Sequence, residues 1–209
     1  MNNFFYEFYG ILVGDGCLSD FNCCGKHHTV IRIDGHGTDD RAYYKDYLIP
    51  EIFNCFGKKV VLKKRKDCNG LFLYFESKEI FNLMKEEFCF PVGKKGKITL
   101  NQDVLSNPKK LKLALRGIMD TDGSLYFTKN NSKVRNYPII ELSSHSEPLI
   151  RQLYTALLTL GFNPKIRTDK QSVKLNGRKQ LEKWVSKIGF SNPKNKAKYV
   201  SWRSNQKSI

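Results

Sequence analysis

The sequence predicts an α+β fold made of two pseudo-symmetric repeats, each with the element order helix–strand–strand–helix–strand–strand–helix (αββαββα). An apolar run that ends in Asp-Gly occurs twice, in "YGILVGDGCL" and in "RGIMDTDGSL", where Asp122 follows Asp15 by 107 residues. The middle helical patterns end at Gly57 and Gly161, 104 residues apart, and the final ones end in "FCF" and "IGF", 100 residues apart. Offsets that stay close to half of the 209 residues indicate a tandem duplication.

Each half contains the same elements in the same order. Short extended segments predict four strands per half: Leu18–Asn22, Thr29–Asp34, Val60–Lys66 and Leu71–Glu76, then Ser124–Lys129, Pro138–Ser143, Asn163–Thr168 and Ser172–Leu175. Helical spacing predicts further helices within residues 39–57, 77–90, 146–161 and 177–190, with Ser77 as an N-cap. We expect a first repeat over residues 1–100, a linker over 101–110 and a second repeat over 111–209, with Asn107 and Pro108 starting a helix.

The composition favours a polyanionic partner. Lys and Arg total 36 against 20 acidic residues, which gives a net charge of +16 and suits nucleic acid. Residues 101–209 carry 21 basic and 7 acidic side chains (+14), whereas residues 1–100 carry 15 and 13 (+2). A merely basic soluble protein is the plain alternative, and no Lys-rich amphipathic helix indicates a membrane surface. The opening segment lacks the features of a signal peptide or membrane span, so we expect an intracellular protein, in a prokaryotic cytoplasm or an organelle.

The six cysteines all lie in the first half and form no Cys-x-x-Cys pair. The spacing therefore indicates neither a zinc ribbon nor a secreted disulfide framework. The stretch "CCGKHH" (Cys23–His28) contains ligand types for a metal, but no second ligand pair follows at zinc spacing. We expect reduced cysteines.

Small residues recur on the two motif helices. Gly10 and Gly14 are four residues apart, and Gly117 and Thr121 hold the equivalent places in the second motif. Small residues at this spacing allow two helix backbones to approach closely, so we expect the helices to pack face to face. This packing would bring Asp15 and Asp122 together, and two adjacent carboxylates repel unless a divalent cation lies between them.

The alternative is that each Asp-Gly only forms a turn after a core helix. Its occurrence at the same place in both halves favours the paired site. Asp120 lies two residues before Asp122 and points to a different face, so we interpret it as a local or base-side residue.

The two motifs resemble the paired motifs of the LAGLIDADG homing endonucleases in their single-chain, two-repeat form. The resemblance covers nearly the whole chain, and the second motif is the closer match because the first has Val13-Gly14 before its aspartate. It implies a saddle whose two antiparallel DNA-binding sheets lie in the major groove, with the motif helices between the halves. It also implies a monomer that makes a double-strand break in a long duplex target.

The resemblance further implies a metal site and nearby basic groups. Mg²⁺ is the expected cofactor, with Mn²⁺ as a substitute and Ca²⁺ supporting binding without efficient cleavage. The implied metal-site residues are Asp15, Asp122, Gly14 and Thr121.

The implied basic catalytic residues are Lys94 and Lys194, each four residues past Phe90 or Phe190, with Lys95, Lys97, Lys196 and Lys198 as competitors. His145, and less clearly His36, match a position that orders water in the family. The alternatives are solvated lysines and solvated loop histidines.

Strand alternation places mixed basic, acidic and hydroxyl side chains on one sheet face, where they suit contacts to base edges. The DNA-facing set implied in this way is Arg32, Asp34, Lys63, Arg65, Ser124, Tyr126, Thr128, Glu141, Lys165, Arg167 and Asp169. A solvated sheet face would have a similar composition.

Two rival functions share this fold. An intron maturase of the same family would bind RNA, and a non-cleaving DNA-binding regulator would have lost a catalytic aspartate. Retention of both Asp15 and Asp122 favours the nuclease. No intein splicing segments are apparent in the sequence.

Overall fold

The computed structural model describes residues 2–66, 68–129 and 133–206, and it contains two copies of one αββαββα unit. The first repeat consists of α1 (Asn3–Asp15), β1 (Gly16–Cys23), β2 (Lys26–His36), α2 (Arg41–Tyr43), α3 (Ile49–Phe56), β3 (Val61–Lys64), β4 (Gly70–Glu76) and α4 (Lys78–Asn82). The second consists of α6 (Pro108–Thr121), β5 (Gly123–Thr128), β6 (Tyr137–Ser143), α7 (Glu147–Thr159), β7 (Pro164–Ile166), β8 (Ser172–Asn176), α8 (Arg178–Lys187) and α9 (Pro193–Gln206). A short helix, α5 (Gln102–Ser106), lies between them.

The two sheets have the same topology. Their strand orders are β1-β2-β4-β3 and β5-β6-β8-β7, and every strand pairing within them is antiparallel. All eight predicted strands are present, with ends that differ by a few residues. The predicted N-caps also form: Ser77 Oγ accepts from Ile80 N–H, and Asn107 Oδ1 accepts from the Lys109 and Lys110 N–H groups. The predicted two-repeat α+β architecture is confirmed.

Three features of the helices differ from the sequence prediction. Residues 44–48 and 83–87 have π-helical bonding within the predicted helices. The structure also adds α5 and α9 among the described residues. α5 has five residues and one buried side chain, Val104, which is too short to show a period. α9 buries Asn195 and Trp202 while Val200 is 60% exposed, so no apolar stripe marks it.

The core forms where each sheet covers its repeat's motif helix and the two motif helices meet. The inward side of the sheets is apolar, with Ile31, Ile33 and Leu73 in one and Ile140 and Leu175 in the other. α1 is buried almost all round because it packs against its sheet, against other helices and against α6. No helix in the described ranges combines the length and apolarity needed to cross a lipid bilayer.

Glycine lets α1 and α6 approach to backbone contact. A Cβ atom on Gly10 would overlap the backbone of Ala114, and one on Gly117 would overlap the carbonyl oxygen of Glu7. At Gly14 the same atom would overlap the Thr121 side chain. The residues named from the sequence as a helix interface therefore lie in the contact between α1 and α6.

We expect Gly117→Ala to destabilise the protein by about 1–3 kcal/mol, because its methyl group meets backbone atoms that cannot rotate away. In an open helix the same change would stabilise by roughly 0.5–1 kcal/mol. Chemical denaturation measures the free energy of unfolding. Thr155→Ala, on the exposed face of α7, is the control for helix propensity. A stabilised Gly117→Ala variant would contradict backbone contact at this position.

Candidate functional site

The two motif helices end side by side with their carboxylates in contact. Asp15 is the last residue of α1 and Asp122 is the C-cap of α6. Burial, followed by the negative charge of Asp122, raises the pKa of Asp15 to about 7. Burial also raises the pKa of Asp122. Its side chain reaches the surface, but it does so in a concave site where protein atoms surround it. The charge of Lys95 and a hydrogen bond with Asp15 oppose this rise in the pKa. Without a cation the pair therefore favours holding a proton near neutral pH.

Lys95 is the basic residue at this junction. Its Nζ lies 3.1 Å from the Leu12 carbonyl oxygen and 2.9 Å from that of Val13, and it also donates to Gly14 O. The ammonium group thus caps the C-terminus of α1 and faces both carboxylates. Burial lowers the pKa of Lys95, while the charges of Asp122 and Asp15 oppose that shift.

Lys94, the residue selected from the sequence, is exposed and lies outside the cavity lining. The sequence could not separate the two lysines because they are adjacent. The backbone conformation of the loop sets which lysine points inward, because Gly93 and Gly96 on either side have φ of +82° and +53°. Of the two neighbours, Lys95 rather than Lys94 therefore lies against the motif carboxylates.

A cavity of about 500 Å³ opens beside Asp122. Its charged and titratable lining includes Lys95, His145 and Arg167, and serines and Gln171 add hydroxyl and amide groups. His145 faces Asp122 closely enough that a positive charge on its imidazole would lower the pKa of that carboxyl. The cavity can therefore present cationic and hydrogen-bonding groups to an anionic ligand next to a carboxylate.

On the Asp15 side, the predicted lysine is held by a third carboxylate. Lys194 Nζ lies 3.4 Å from Asp40 Oδ1, and the His36 N–H donates to Asp40 Oδ2 at 2.9 Å. The charge of Asp40 contributes to the raised pKa of Asp15. Lys194 comes from the second repeat and lies on the first, so this contact joins the two halves. Sequence reasoning missed Asp40, which precedes α2 in an ordinary-looking Asp-Asp pair.

Asp120 anchors the segment that carries Lys194. Its carboxylate accepts hydrogen bonds from Ser191 N (2.5 Å), Asn192 N (3.0 Å) and Asn195 Nδ2 (3.2 Å). Burial raises the pKa of Asp120 to about 7 in spite of these bonds. The sequence left open whether Asp120 acts locally or near the bases. In the structure it is buried inside the protein, which fits the local role.

The remaining metal-site residues offer oxygen atoms only. The Gly14 carbonyl accepts from Lys95, and the Thr121 hydroxyl donates to the carbonyls of Gly117 and Ile118. Among the described residues, no three His, Cys, Asp or Glu side chains converge as a closed metal cage. Two carboxylates beside an open polar cavity fit Mg²⁺, which usually keeps several waters and completes its shell with phosphate oxygens.

Among the described residues, the cysteine-rich β1–β2 hairpin does not bring three metal-ligating side chains together. Cys23 and Cys24 are exposed at the tip of the β1–β2 hairpin, and all six cysteines are free thiols.

Away from the helices, the sheets place the predicted DNA-facing residues on one side. Arg32 and Asp34 alternate with the buried Ile31 and Ile33 on β2, and Tyr126 flanks the buried Leu125 on β5. The rest of the set lies on β3, β5, β6 and β7 or in the adjoining loops: Lys63, Arg65, Ser124, Thr128, Glu141, Lys165, Arg167 and Asp169. Sequence reasoning missed Phe72, Tyr74 and Lys174, which share this face by strand pairing with Asp34, Arg32 and Glu141.

The raised pKa of Asp15 predicts a pH-dependent stability in EDTA. Its unfolded pKa is near 3.8 and its folded pKa is about 7, so the stabilising proton is fully held at low pH and lost as pH rises through 7. We expect the free energy of unfolding to fall by about 2 kcal/mol between roughly pH 5 and pH 7.5 because of this carboxyl. Asp15→Asn should lose this contribution.

The control is Asp46→Asn, a change of an exposed acid in the helical stretch after β2, which should keep the wild-type pH profile. Urea titrations at a series of pH values provide the measurement. Identical pH profiles for wild type and Asp15→Asn would refute the electrostatic description of the site.

Comparison with known proteins identifies the fold. Residues 110–189 match the family model of the LAGLIDADG-like domain. Comparison with the curated proteins gave no match. Among solved structures, the chain resembles I-DmoI in complex with DNA and Mn, with 14% identity, a TM-score of 0.62, and coverage of 90% of this chain and 96% of that chain.

Two further DNA complexes are similar. The LAGLIDADG homing endonuclease I-LtrWI, bound to target DNA, has 11% identity, a TM-score of 0.58, and coverage of 96% of this chain and 88% of that chain. The LAGLIDADG meganuclease I-AabMI, bound to uncleaved DNA, has 15% identity, a TM-score of 0.58, and coverage of 100% and 92%. Residues 110–189 are thus similar to a LAGLIDADG-like domain, and the chain as a whole shares the fold of I-DmoI, I-LtrWI and I-AabMI.

Proposed function

We propose that this protein is a site-specific DNA endonuclease that makes a Mg²⁺-dependent double-strand break in a long duplex. The observation that carries the proposal is the contact between Asp15 and Asp122 at the interface of two pseudo-symmetric repeats. One carboxylate per repeat matches one scissile phosphate per DNA strand. In this proposal the repeats occupy residues 1–100 and 111–209, joined by 101–110 and acting as a monomer, and residues 207–209 lie outside the described range.

The two sheets supply the surface for duplex DNA. The sides of the two sheets that face away from the motif helices carry basic residues together with acceptor and hydroxyl groups. The basic residues include Arg32, Lys63, Lys165 and Lys174. The net charge of +16 adds a sequence-independent attraction to phosphates, most of it from the second repeat. The complexes of I-DmoI, I-LtrWI and I-AabMI with DNA, at comparable chain length, support the same partner here.

The side chains at the junction suit phosphodiester hydrolysis. Asp15 and Asp122 would hold the divalent ion, which when bound neutralises phosphate charge and makes water more acidic. Lys95 directs its ammonium toward the same point and stabilises negative charge that develops on the phosphate. His145, in the cavity beside Asp122, can orient a water molecule or accept its proton. Lys194 provides positive charge on the Asp15 side.

I-DmoI has been solved in complex with DNA and Mn and with DNA and Ca, and a variant of it in complex with target DNA in the presence of Mg. We propose the same ions here, with Mg²⁺ as the working cofactor, Mn²⁺ as a substitute and Ca²⁺ as an ion that supports binding without efficient cleavage. The rival functions, an RNA-binding maturase and a non-cleaving regulator, do not need both carboxylates at one junction.

Asp15→Asn and Asp122→Asn should each abolish double-strand cleavage, because each removes the charge that would hold a cation at one strand. Binding to duplex DNA in Ca²⁺ should remain, since neither residue lies on the sheets. A randomised duplex library cut in Mg²⁺ supplies the substrate, and a gel-shift titration measures binding. Asp46→Asn is the charge-matched control. Wild-type cleavage by either motif variant, or full wild-type cleavage in EDTA, would contradict the assignment.

Adjacent lysines provide a second test. Lys95→Met should reduce the cleavage rate by at least about tenfold, because it removes the ammonium group that faces the two carboxylates. Lys94→Met, which changes the exposed neighbour by the same chemistry, should cleave like the wild type. Single-turnover rates on supercoiled plasmid measure both. Equal loss in the two variants would mean that only the total charge of the segment matters.

A further inference from the structure

In each sheet, an acidic side chain on the face that carries the basic residues contacts more than one of them. In the first sheet this residue is Asp34 on β2. Arg32 Nε donates to Asp34 Oδ2 at 3.0 Å, and Arg65 Nη2 donates to Asp34 Oδ1. One carboxylate therefore holds two guanidinium groups from neighbouring parts of the sheet.

The second sheet contains the same arrangement built from other residues. Glu141 Oε1 accepts from Ser172 Oγ at 2.6 Å, and Glu141 Oε2 accepts from Tyr126 OH at 2.7 Å. Lys174 Nζ lies 3.3 Å from Glu141 Oε2, and it also donates to Tyr126 OH at 3.1 Å. Arg167 Nη1 lies 3.9 Å from Glu141 Oε1, whereas its Nε lies 3.0 Å from Asp169 Oδ2, so Asp169 is its nearer partner.

The two acidic residues lie on the second strand of their repeats, but not at matching positions. Glu141 pairs with Ser124 as Arg32 pairs with Cys17, so Asp34 lies two residues further along its strand than the position that matches Glu141. Both lie on the second strand of their repeat, whereas their basic partners come from different positions: Arg32 and Arg65 in one sheet, Lys174 and Arg167 in the other. Each repeat thus has an acidic anchor on its second strand, at a different position along the strand and with different basic groups around it.

A carboxylate at this place works against simple affinity for DNA, because it repels phosphate and cancels part of the basic charge. The carboxylate also restricts the orientation of the basic side chains that it contacts. The side chain of Asp34 is 27% exposed and that of Glu141 is 11% exposed, so both are held within the sheet surface. Burial would raise the pKa of Glu141, but the hydrogen bonds from Ser172 and Tyr126 and the charge of Lys174 outweigh it and hold the pKa below the ordinary range.

We propose that Asp34 and Glu141 are specificity-determining positioning residues. Asp34 holds Arg32 and Arg65 in one repeat, and Glu141 holds Lys174 in the other, in orientations that suit contacts to base edges rather than contacts to phosphates of any sequence. The inference rests on the proposed binding of duplex DNA and adds the device that gives it sequence selectivity. Fixed Arg and Lys donors match the two acceptors of guanine, N7 and O6, in the major groove. The target therefore contains a guanine contact in each half, one under each anchored cluster.

The test uses the full chain and a randomised duplex library bound in Ca²⁺, followed by sequencing of the bound fraction. Asp34→Asn should weaken the preference for guanine by about tenfold at a position in one half-site and leave the other half unchanged. Glu141→Gln should do the same in the opposite half. Affinity for a scrambled duplex should stay equal or increase, since one negative charge is lost. Asp46→Asn controls for the charge change.

Arg65→Lys is the second variant, and it keeps the charge but removes the planar fork. It should alter the same base position as Asp34→Asn, a coincidence that a loss of folding would not produce. Thermal melting of each variant checks that the fold is kept. If Asp34→Asn and Arg65→Lys both retain the wild-type base preference at every position, or lower binding to all duplexes equally, the inference is overturned. If the wild type itself selects no duplex, the proposed function fails, and the inference falls with it.

Discussion

The structure depends on the close contact between α1 and α6. Backbone contact through Gly10 and Gly117 brings the two helices together, and this packing places the sheets and the motif carboxylates. Because β1 and β5 begin directly after the helix ends, the same contact sets where each sheet starts. It also determines that Asp15 and Asp122 end at one point, since each carboxylate lies at the C-terminus of its motif helix.

That contact has an electrostatic cost. Two carboxylates placed at helix C-termini face each other and the negative ends of both helix dipoles. Lys95 offsets part of this repulsion because it donates to the last carbonyls of α1. The hydrogen bond between Asp15 and Asp122 offsets a further part. The remaining imbalance is what a divalent cation would remove. In this sense the feature that is least favourable for the isolated fold is the one that supports its proposed chemistry.

The two repeats are equivalent in topology but not in side chains around the junction. Asp120 of the second motif is buried and anchors the segment that follows α8, whereas the first motif has Val13 at the equivalent place. His145 lines a cavity beside Asp122, while Lys194 and Asp40 lie on the Asp15 side. The duplication therefore preserves the helix contact and the motif carboxylates Asp15 and Asp122, and the surrounding groups have diverged.

The duplicated motifs and the period-2 strands allowed the repeats, both sheets and the helix interface to be predicted, because these depend on local patterns of small and apolar residues. The sequence could not separate Lys95 from Lys94, since loop backbone rotation decides which of two neighbours points inward. It also missed α9, whose buried residues include Asn195 rather than an apolar stripe. Asp40 could not be identified from the sequence, because its role comes from a contact with Lys194, which lies 154 residues away in the chain.

The most direct test of the central claim is anomalous diffraction from crystals of the full chain with its selected duplex and Mn²⁺. The helix contact predicts manganese signal next to Asp15 and Asp122, between these carboxylates and one phosphate of each DNA strand. Manganese signal found only at another place, such as the exposed β1–β2 hairpin, or DNA bound away from the two sheets, would contradict it.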